Sequence, residues 1–343
     1  MQVELTPLPM TEAQQFWADK VQLGPGEFAK LSAEAKVRAF AVSGIAKGEE
    51  LNTVFTAMQR AIDQGTTLEQ FKEECAGIFE RRGWTGKRAW RIDNVFRTNI
   101  QTAYNVGQYK QLSEAGDALP IWKYSAINDR RTRPTHRAMD GRAWPANHPI
   151  WDTWFPPNGF RCRCSVVGLT EAQARREGTL VEETDPTNTL VEPTDPDTGA
   201  RMPARQLLPD PGFAHNPGKV YWQGMGEAIA DRLEQWQPPV RVQALRDLLE
   251  GPVFAHWLAQ PEGNFPVGLI DEAAMARTGA TVRTVRLPVE TAGELADLGA
   301  ERLGEVLGEL AASTDGTLTT MVNGRAVRLR IEVRDGRPLV VVD

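Results

Sequence analysis

Asp129-Arg130-Arg131-Thr132-Arg133-Pro134-Thr135-His136, then Met139-Asp140-Gly141, then Phe155-Pro156-Pro157-Asn158-Gly159-Phe160-Arg161-Cys162-Arg163-Cys164, form the densest chemistry in this 343-residue chain. Reduced to its spacing, the stretch is His-x3-Asp-Gly, a 20-residue spacer and Cys-x-Cys. A tetrahedral zinc site takes four nitrogen, sulfur or oxygen ligands. His136, Cys162 and Cys164 offer three, and Asp140, Asp129 or His148 a fourth; the ligand set read here is His136, Asp140, Cys162 and Cys164. A structural metal would hold together a Trp- and Pro-rich segment that lacks periodicity. The alternative is a metal-free knot, in which two reduced cysteines on a strand point to opposite faces and His136 bonds Asp140 or a carbonyl. No HExxH or other metal-plus-base pattern points to a catalytic ion.

Ahead of this stretch the chain reads as helical, residues 1–112. Leu51, Val54, Phe55, Met58 and Ile62 recur at helical spacing, and Gly65 suits a left-handed helix end. Thr66 and Glu69 fit a capping box. Leu68, Phe71, Cys75, Ile78 and Phe79 form the next apolar stripe, with Cys75 read as a buried thiol. A third helix is expected from Lys87 to Leu112. Residues 113–170 are the loop-rich module, with short strands at Ile121–Tyr124 and Cys164–Gly168. Residues 171–239 read as a Pro-rich linker: Thr184-Asp185-Pro186 and Thr194-Asp195-Pro196 repeat a turn triplet, and four further prolines follow. Phe213, Tyr221 and Trp222 are anchors by which part of it lies along another surface, and a helix is expected at Met225–Trp236.

Residues 240–343 read as a small α+β domain. Thr281–Leu287 alternates as a strand, and Thr291–Ala312 reads as a helix. Thr317–Val322, Arg325–Val333 and Pro338–Val342 are strands joined at Asn323-Gly324 and Asp335-Gly336, the dipeptides that favour tight hairpin turns. The fold class expected for the whole is therefore α+β.

Composition excludes several classes. With 41% hydrophobic and 24% charged residues the chain can bury a core, so global disorder is excluded. A net charge of −6 argues against a protein that coats nucleic acid with its whole surface. Three cysteines are too few for a secreted disulfide scaffold and point to a reducing compartment. No apolar run is long enough for a transmembrane helix, and MQVELTPLPMTEAQQF shows no secretory signal. The charge is uneven. Arg81 to Arg142 carries 13 Lys+Arg against 5 Asp+Glu, a net of +8, which leaves the remainder at −14. Arg130, Arg131 and Arg133 are the candidate patch for DNA or a protein partner. A solvated face, or internal pairing with Asp129 and Asp140, is the bland alternative.

Several motifs in order along residues 10–170 resemble the phage Mu F-like family of minor head proteins. They are Phe40-Ala41-Val42-Ser43-Gly44, Gly83-Trp84, Arg97-Thr98-Asn99 before Ala103-Tyr104, Trp122-Lys123-Tyr124, the Asp129–His136 run, Asp140-Gly141, and Pro156 to Cys164. The resemblance implies a minor capsid protein of a Mu-like tailed phage or prophage, acting in head assembly near the portal. Its partners would be the portal protein and major capsid or scaffold proteins, with phage DNA as a further partner in packaging or ejection. It implies a virion location, with host cytoplasm during assembly, and neither a membrane nor a small-molecule substrate. It fixes no cofactor; related branches carry extra cysteines where zinc is plausible. No enzymatic activity is expected.

The alternative function is a head-packaged nuclease effector. Phe265–Leu269, then Thr281–Val289 with Glu290-Thr291, resemble phage-borne domains grouped with barnase- and RelE-like ribonucleases. RNA cleavage needs a base, an acid and cations on the phosphate. Beyond Lys219 there is no lysine, and His256 is the single histidine. From Val220 onward 12 Arg face 18 Asp+Glu. Arg325, Arg328 and Arg330 could form a patch on the sheet, but the resemblance calls for histidines after Glu290-Thr291 and there are none. A degenerate domain kept for binding is the better reading.

Overall fold

The computed structural model describes residues 10–343 except 32, 47, 196, 197, 236, 251, 260, 262 and 314. The opening nine residues and the side chain of His256, on which two expectations fall, lie outside the described residues. Two units result: Met1–Ala29 with Lys36–Tyr221, and Lys30–Ala35 with Trp222–Asp343. The class is α+β, as expected. No helix among the described residues is long and apolar enough to cross a membrane.

In the first unit, helix Glu49–Gln64 buries Leu51, Val54, Met58 and Ile62, the stripe read from the sequence, and ends on Gly65 at φ 71°. The capping box sits one residue later than expected. Thr67 accepts from the Gln70 amide, and the Gln70 side chain accepts from the Thr67 amide. Leu68 is then the first helical residue, which places the apolar stripe inward. That stripe spans two helices, Leu68–Glu74 and Ala76–Arg81, which meet at the buried Cys75. Burial pushes the Cys75 thiol up to about 11.

Helix Trp90–Ala115 is the spine of the unit. Its buried side chains are Ile92, Ala103, Asn105, Val106, Tyr109 and Leu112, rather than one clean stripe, because it is covered from more than one side. Helix Thr11–Ala18 crosses it, and a Cβ at Gly107 would sit 3.2 Å from the Ala13 amide nitrogen. On another side the Tyr109 ring meets Phe155 edge-on at 5.2 Å.

The loop-rich module is built on a three-stranded antiparallel sheet with Ile121–Ser125 between Ala143–Pro145 and Ser165–Leu169. Alternation sends Trp122 and Tyr124 inward. They pack with Trp144, Trp151, Trp154 and Phe155, all buried. An aromatic core thus replaces the periodicity that the sequence lacks.

Residues 171–239 are not a tether along their length. Thr170 caps helix Glu171–Glu177 with a full capping box. Beyond it the chain is strapped onto the module. Val181 forms a parallel bridge with Ala143. Trp144 Nε1 donates to the Thr184 carbonyl at 2.9 Å, and Trp154 Nε1 to Thr187 Oγ1 at 3.1 Å. Asn216 Nδ2 donates to the Trp151 carbonyl at 3.0 Å, and Lys219 pairs with Asp152 at 2.6 Å. Helix Pro217–Gln223 then seats so closely that a Cβ at Gly218 would lie 2.3 Å from the Tyr109 Cβ. Unpaired indole N–H groups in an aromatic core cost free energy, and the strap satisfies two of them.

The second unit holds a five-stranded sheet. Thr317–Val322, Arg325–Arg334 and Arg337–Val342 form the expected antiparallel meander. Both hairpin turns place two residues at positive φ: Asn323 and Gly324 at 48° and 77°, Asp335 and Gly336 at 50° and 75°. This is the geometry for which Asn-Gly and Asp-Gly are selected. Thr284–Leu287 adds parallel to the last strand, and Phe265–Leu269 pairs with it at the far edge. The region expected as one helix is broken into Val289–Leu295, a short 3-10 turn, and Gly299–Ala312, whose Leu303, Val306, Leu307 and Leu310 are buried. Arg286, fully buried, donates to Glu227 at 3.0 Å and to Asp231 at 3.1 Å.

Candidate functional site

His136, Cys162 and Cys164 converge. His136 lies on the short helix Pro134–Met139, and both cysteines lie in the turn just before strand Ser165–Leu169. Because they precede the strand, the two thiols do not point to opposite faces. His136 Nδ1 is 3.6 Å from Cys162 Sγ and 3.6 Å from Cys164 Sγ. All three side chains are buried, and their ligand atoms lie within 4.8 Å of one another. Among the described residues this is the one such cluster of three potential metal ligands.

The surroundings orient the cluster. The Cys164 amide donates to Cys162 Sγ at 3.5 Å. The Cys164 carbonyl accepts from Gln101 at 3.1 Å and from Asn105 at 3.3 Å, both on the spine helix. Tyr124, fully buried, donates to Asn158 Oδ1 at 2.9 Å and also bonds the Cys164 side chain. The thiols are unequal: hydrogen bonds from Cys164 and His136 hold Cys162 well below the usual thiol range despite burial, while the adjacent Cys162 and burial push Cys164 up. Burial first, and the two sulfurs next, raise the Tyr124 phenol well above its ordinary value.

Asp140 is not in the cluster. Its Oδ1 accepts from the Ala126 amide at 2.7 Å, and its other oxygen from Asn128, so it closes the loop after the central strand. Asp129 is also elsewhere. It takes a two-pronged bond from Arg163 and one from the Arg131 amide, and the Arg163 guanidinium chiefly holds its carboxyl well below the usual range. His148 bonds the Ile150 amide and the Glu183 carbonyl.

The three arginines separate. Arg133 turns inward, pairing with Asp210 at 2.8 Å and donating to the Phe160 carbonyl at 2.9 Å. Arg131 is exposed, 3.9 Å from Asp129, and Arg130 is exposed. Much of the local positive charge is met by acids: Arg81 and Arg82 by Glu50, Lys123 by Glu177, Arg142 by Glu182. Phe160, whose carbonyl Arg133 holds, is 54% exposed and packs edge-on against Phe213 at 4.9 Å. Asp210 and Phe213 belong to the strap, so sequence spacing gave no route to Asp210; the aromatic anchor at Phe213 was the available signal.

The motifs that run in order along the chain meet in space. Phe40, Val42 and Trp84 are buried, and Arg91 donates to the Ser43 carbonyl while lying over Trp84 at 4.9 Å. Thr98 Oγ1 accepts from the Arg161 amide at 2.9 Å, and Asp93 pairs with both Arg97 and Arg161. Residues 52–167 match the family model described as Phage Mu protein F like protein. Over that segment the chain is similar to the phage Mu F-like family.

Two curated relatives are similar to the chain. The putative capsid assembly protein F of Escherichia phage Mu is 28% identical over 291 residues, covering 72% of this chain and 66% of that protein. The Mu-like prophage FluMu F protein of Haemophilus influenzae is 35% identical over 163 residues, 44% of this chain and 39% of that protein. The matched part thus spans less than two thirds of either relative. No solved structure matches the chain. The segment matched to the family model contains the whole His136–Cys162 pairing and the exposed Arg130, Arg131 and Phe160, while Asp210 and Phe213 support it from beyond its end.

In the second unit two of the three arginines named for a nucleic-acid patch are paired. Arg330 bonds Asp343 at 2.6 Å and Glu332 at 2.8 Å, and Arg328 lies 3.8 Å from Asp343. Arg325 falls on the opposite face of its strand from Arg328 and Arg330. Glu290 is exposed in the first turn of its helix.

Proposed function

We propose that this chain is a minor head protein acting in capsid assembly of a Mu-like tailed phage or prophage, without chemistry of its own. The observation that carries this reading is the 291-residue similarity to the putative capsid assembly protein F of phage Mu, together with the match of residues 52–167 to the Mu F-like family model. The module is rigid, with an aromatic core and a strap, and it presents Arg130, Arg131 and Phe160 outward. Two exposed cations and an exposed aromatic ring on one module suit an acidic, partly apolar protein face. The portal protein is the partner put forward first, with the major capsid or scaffold protein next.

The test is capture of the full-length chain with the portal, major capsid and scaffold proteins of its own gene cluster. Capture that weakens with Arg130→Ala and Arg131→Ala supports the reading. Failure to join any head protein overturns it. Binding instead to DNA, falling steeply with salt and with the same substitutions, would make the patch a packaging or ejection contact. The second unit is proposed to bind other head components rather than cut RNA, in keeping with its paired arginines. RNA cleavage by the full-length chain, lost on Glu290→Ala, would overturn that part.

A further inference from the structure

We propose that His136, Cys162 and Cys164 bind one zinc ion, which clasps the Mu F-like module. Zinc holds thiolate sulfur at about 2.3 Å and imidazole nitrogen at about 2.0 Å, so a tetrahedral sulfur-to-nitrogen edge is about 3.6 Å. His136 Nδ1 stands 3.6 Å from each sulfur. A hydrogen-bonded knot explains this less well. One ring nitrogen offers a single lone pair or a single N–H in the ring plane, yet two sulfurs sit equally near it. Three ligands around a common centre produce that arrangement directly.

The donor set selects the metal class. Two sulfurs and an imidazole suit zinc, whereas calcium and magnesium want oxygen. The nearby carboxylates are engaged elsewhere, Asp129 with Arg163 and Asp140 with Ala126 and Asn128. Charge closes as well: a dication with two thiolates and a neutral imidazole is neutral overall, which permits the observed burial of all three residues. The Cys164 amide supplies a hydrogen bond to the Cys162 sulfur, the usual outer support of a thiolate site. Three protein ligands leave one position for a water molecule. Among the described residues no carboxylate or second imidazole joins the cluster to serve as a base, and the ion is assigned a structural role.

The clasp joins segments with little regular structure between them. It ties the Pro134–Met139 helix to the turn that follows Phe160. The Asp129–Arg133 run and Phe160, which carry the exposed docking side chains, are the two segments it draws together. Removing the ion should loosen that surface before the rest of the unit. The metal readout does not depend on head assembly, so this inference can fail while the function stands, and the reverse.

The test is elemental analysis of the full-length chain, purified reduced from zinc-supplemented culture. One zinc per chain is expected, with removal by a chelator lowering the melting midpoint. Refilling with Co2+ should give a thiolate-to-cobalt charge-transfer band in the near ultraviolet. His136→Cys should keep the metal, and Cys162→Ser and Cys164→Ser should each weaken or lose it. Should the serine variants fail to fold, the stoichiometry and cobalt spectrum of the unaltered chain still decide. A folded chain that takes up neither zinc nor cobalt overturns the proposal. So does a Cys162–Cys164 disulfide, or zinc retained when both cysteines are replaced.

Discussion

Gly159 is the most exacting position in the module. A Cβ there would lie 2.3 Å from Asp210 Oδ2, 2.8 Å from its Cγ and 3.1 Å from Arg133 Cζ. Gly159→Ala must therefore push aside a carboxylate that Arg133 holds at 2.8 Å, and with it the bond from Arg133 to the Phe160 carbonyl. Overpacking of this kind costs about 1–3 kcal/mol. The displaced ion pair is half-exposed and itself contributes only about 0–1 kcal/mol. Asp210→Ala alone should thus be mild, and it also removes the obstruction. In the double variant the alanine methyl finds room, so the double should resemble Asp210→Ala alone, with a coupling of about 1–3 kcal/mol. Thermal unfolding followed by near-ultraviolet circular dichroism reads the aromatic core directly. At roughly 2–4 °C per kcal/mol for a unit of this size, Gly159→Ala should lower the midpoint by about 2–12 °C. An unchanged midpoint, or strict additivity with Asp210→Ala, would refute the strap's role.

Three further outcomes follow from named contacts. Tyr124→Phe leaves the fully buried Asn158 Oδ1 without its 2.9 Å donor and should cost about 1–3 kcal/mol in denaturant titration. Arg286→Met takes its buried donor from the Glu227 carboxylate, which keeps Asn264 and Arg337, and should cost about 1–3 kcal/mol, part of it recovered by adding Glu227→Gln. Burial pulls the Lys20 ammonium down to about 7, while its nitrogen donates to the Val37 and Ala39 carbonyls. Between pH 7 and the ordinary lysine range near 10.5 the unfolded chain then binds more protons than the folded one, so stability attributable to Lys20 rises with pH. Lys20→Met should flatten that rise, and an identical pH profile in both chains would contradict it.

What could be read from the residues divides along physical lines. The hairpins at Asn323-Gly324 and Asp335-Gly336 were legible because positive φ is a local demand that few residues meet. The Leu51–Ile62 helix was legible because one face is buried and one solvated. The Thr67 cap was misplaced by one residue because Thr66 and Thr67 are both competent and only the inward aim of Leu68 chooses between them. The strap was hidden because its anchors are a Thr184 carbonyl, a Thr187 hydroxyl and the Asp210 carboxylate, with no periodicity among them. At the cluster, the spacing named His136, Cys162 and Cys164, and the fold brings these three together. Asp140 was grouped with them on the His-x3-Asp spacing alone. The helix ends at Met139, so Asp140 turns away into the Ala126–Asn128 loop. Arg133 looked like Arg130 and Arg131 because sequence shows charge but not the distant acid that claims it.

The central claim is that the Mu F-like module is a rigid docking surface used in building a phage head. Its most direct test is quantitative mass spectrometry of head particles assembled with the full-length chain or with an Arg130→Ala, Arg131→Ala, Phe160→Ala variant shown to fold. The account predicts the unaltered chain in every preparation at a fixed low ratio to the major capsid protein, and the variant depleted several-fold. Particles that lack the unaltered chain, or that take up the variant at the same ratio, would contradict it.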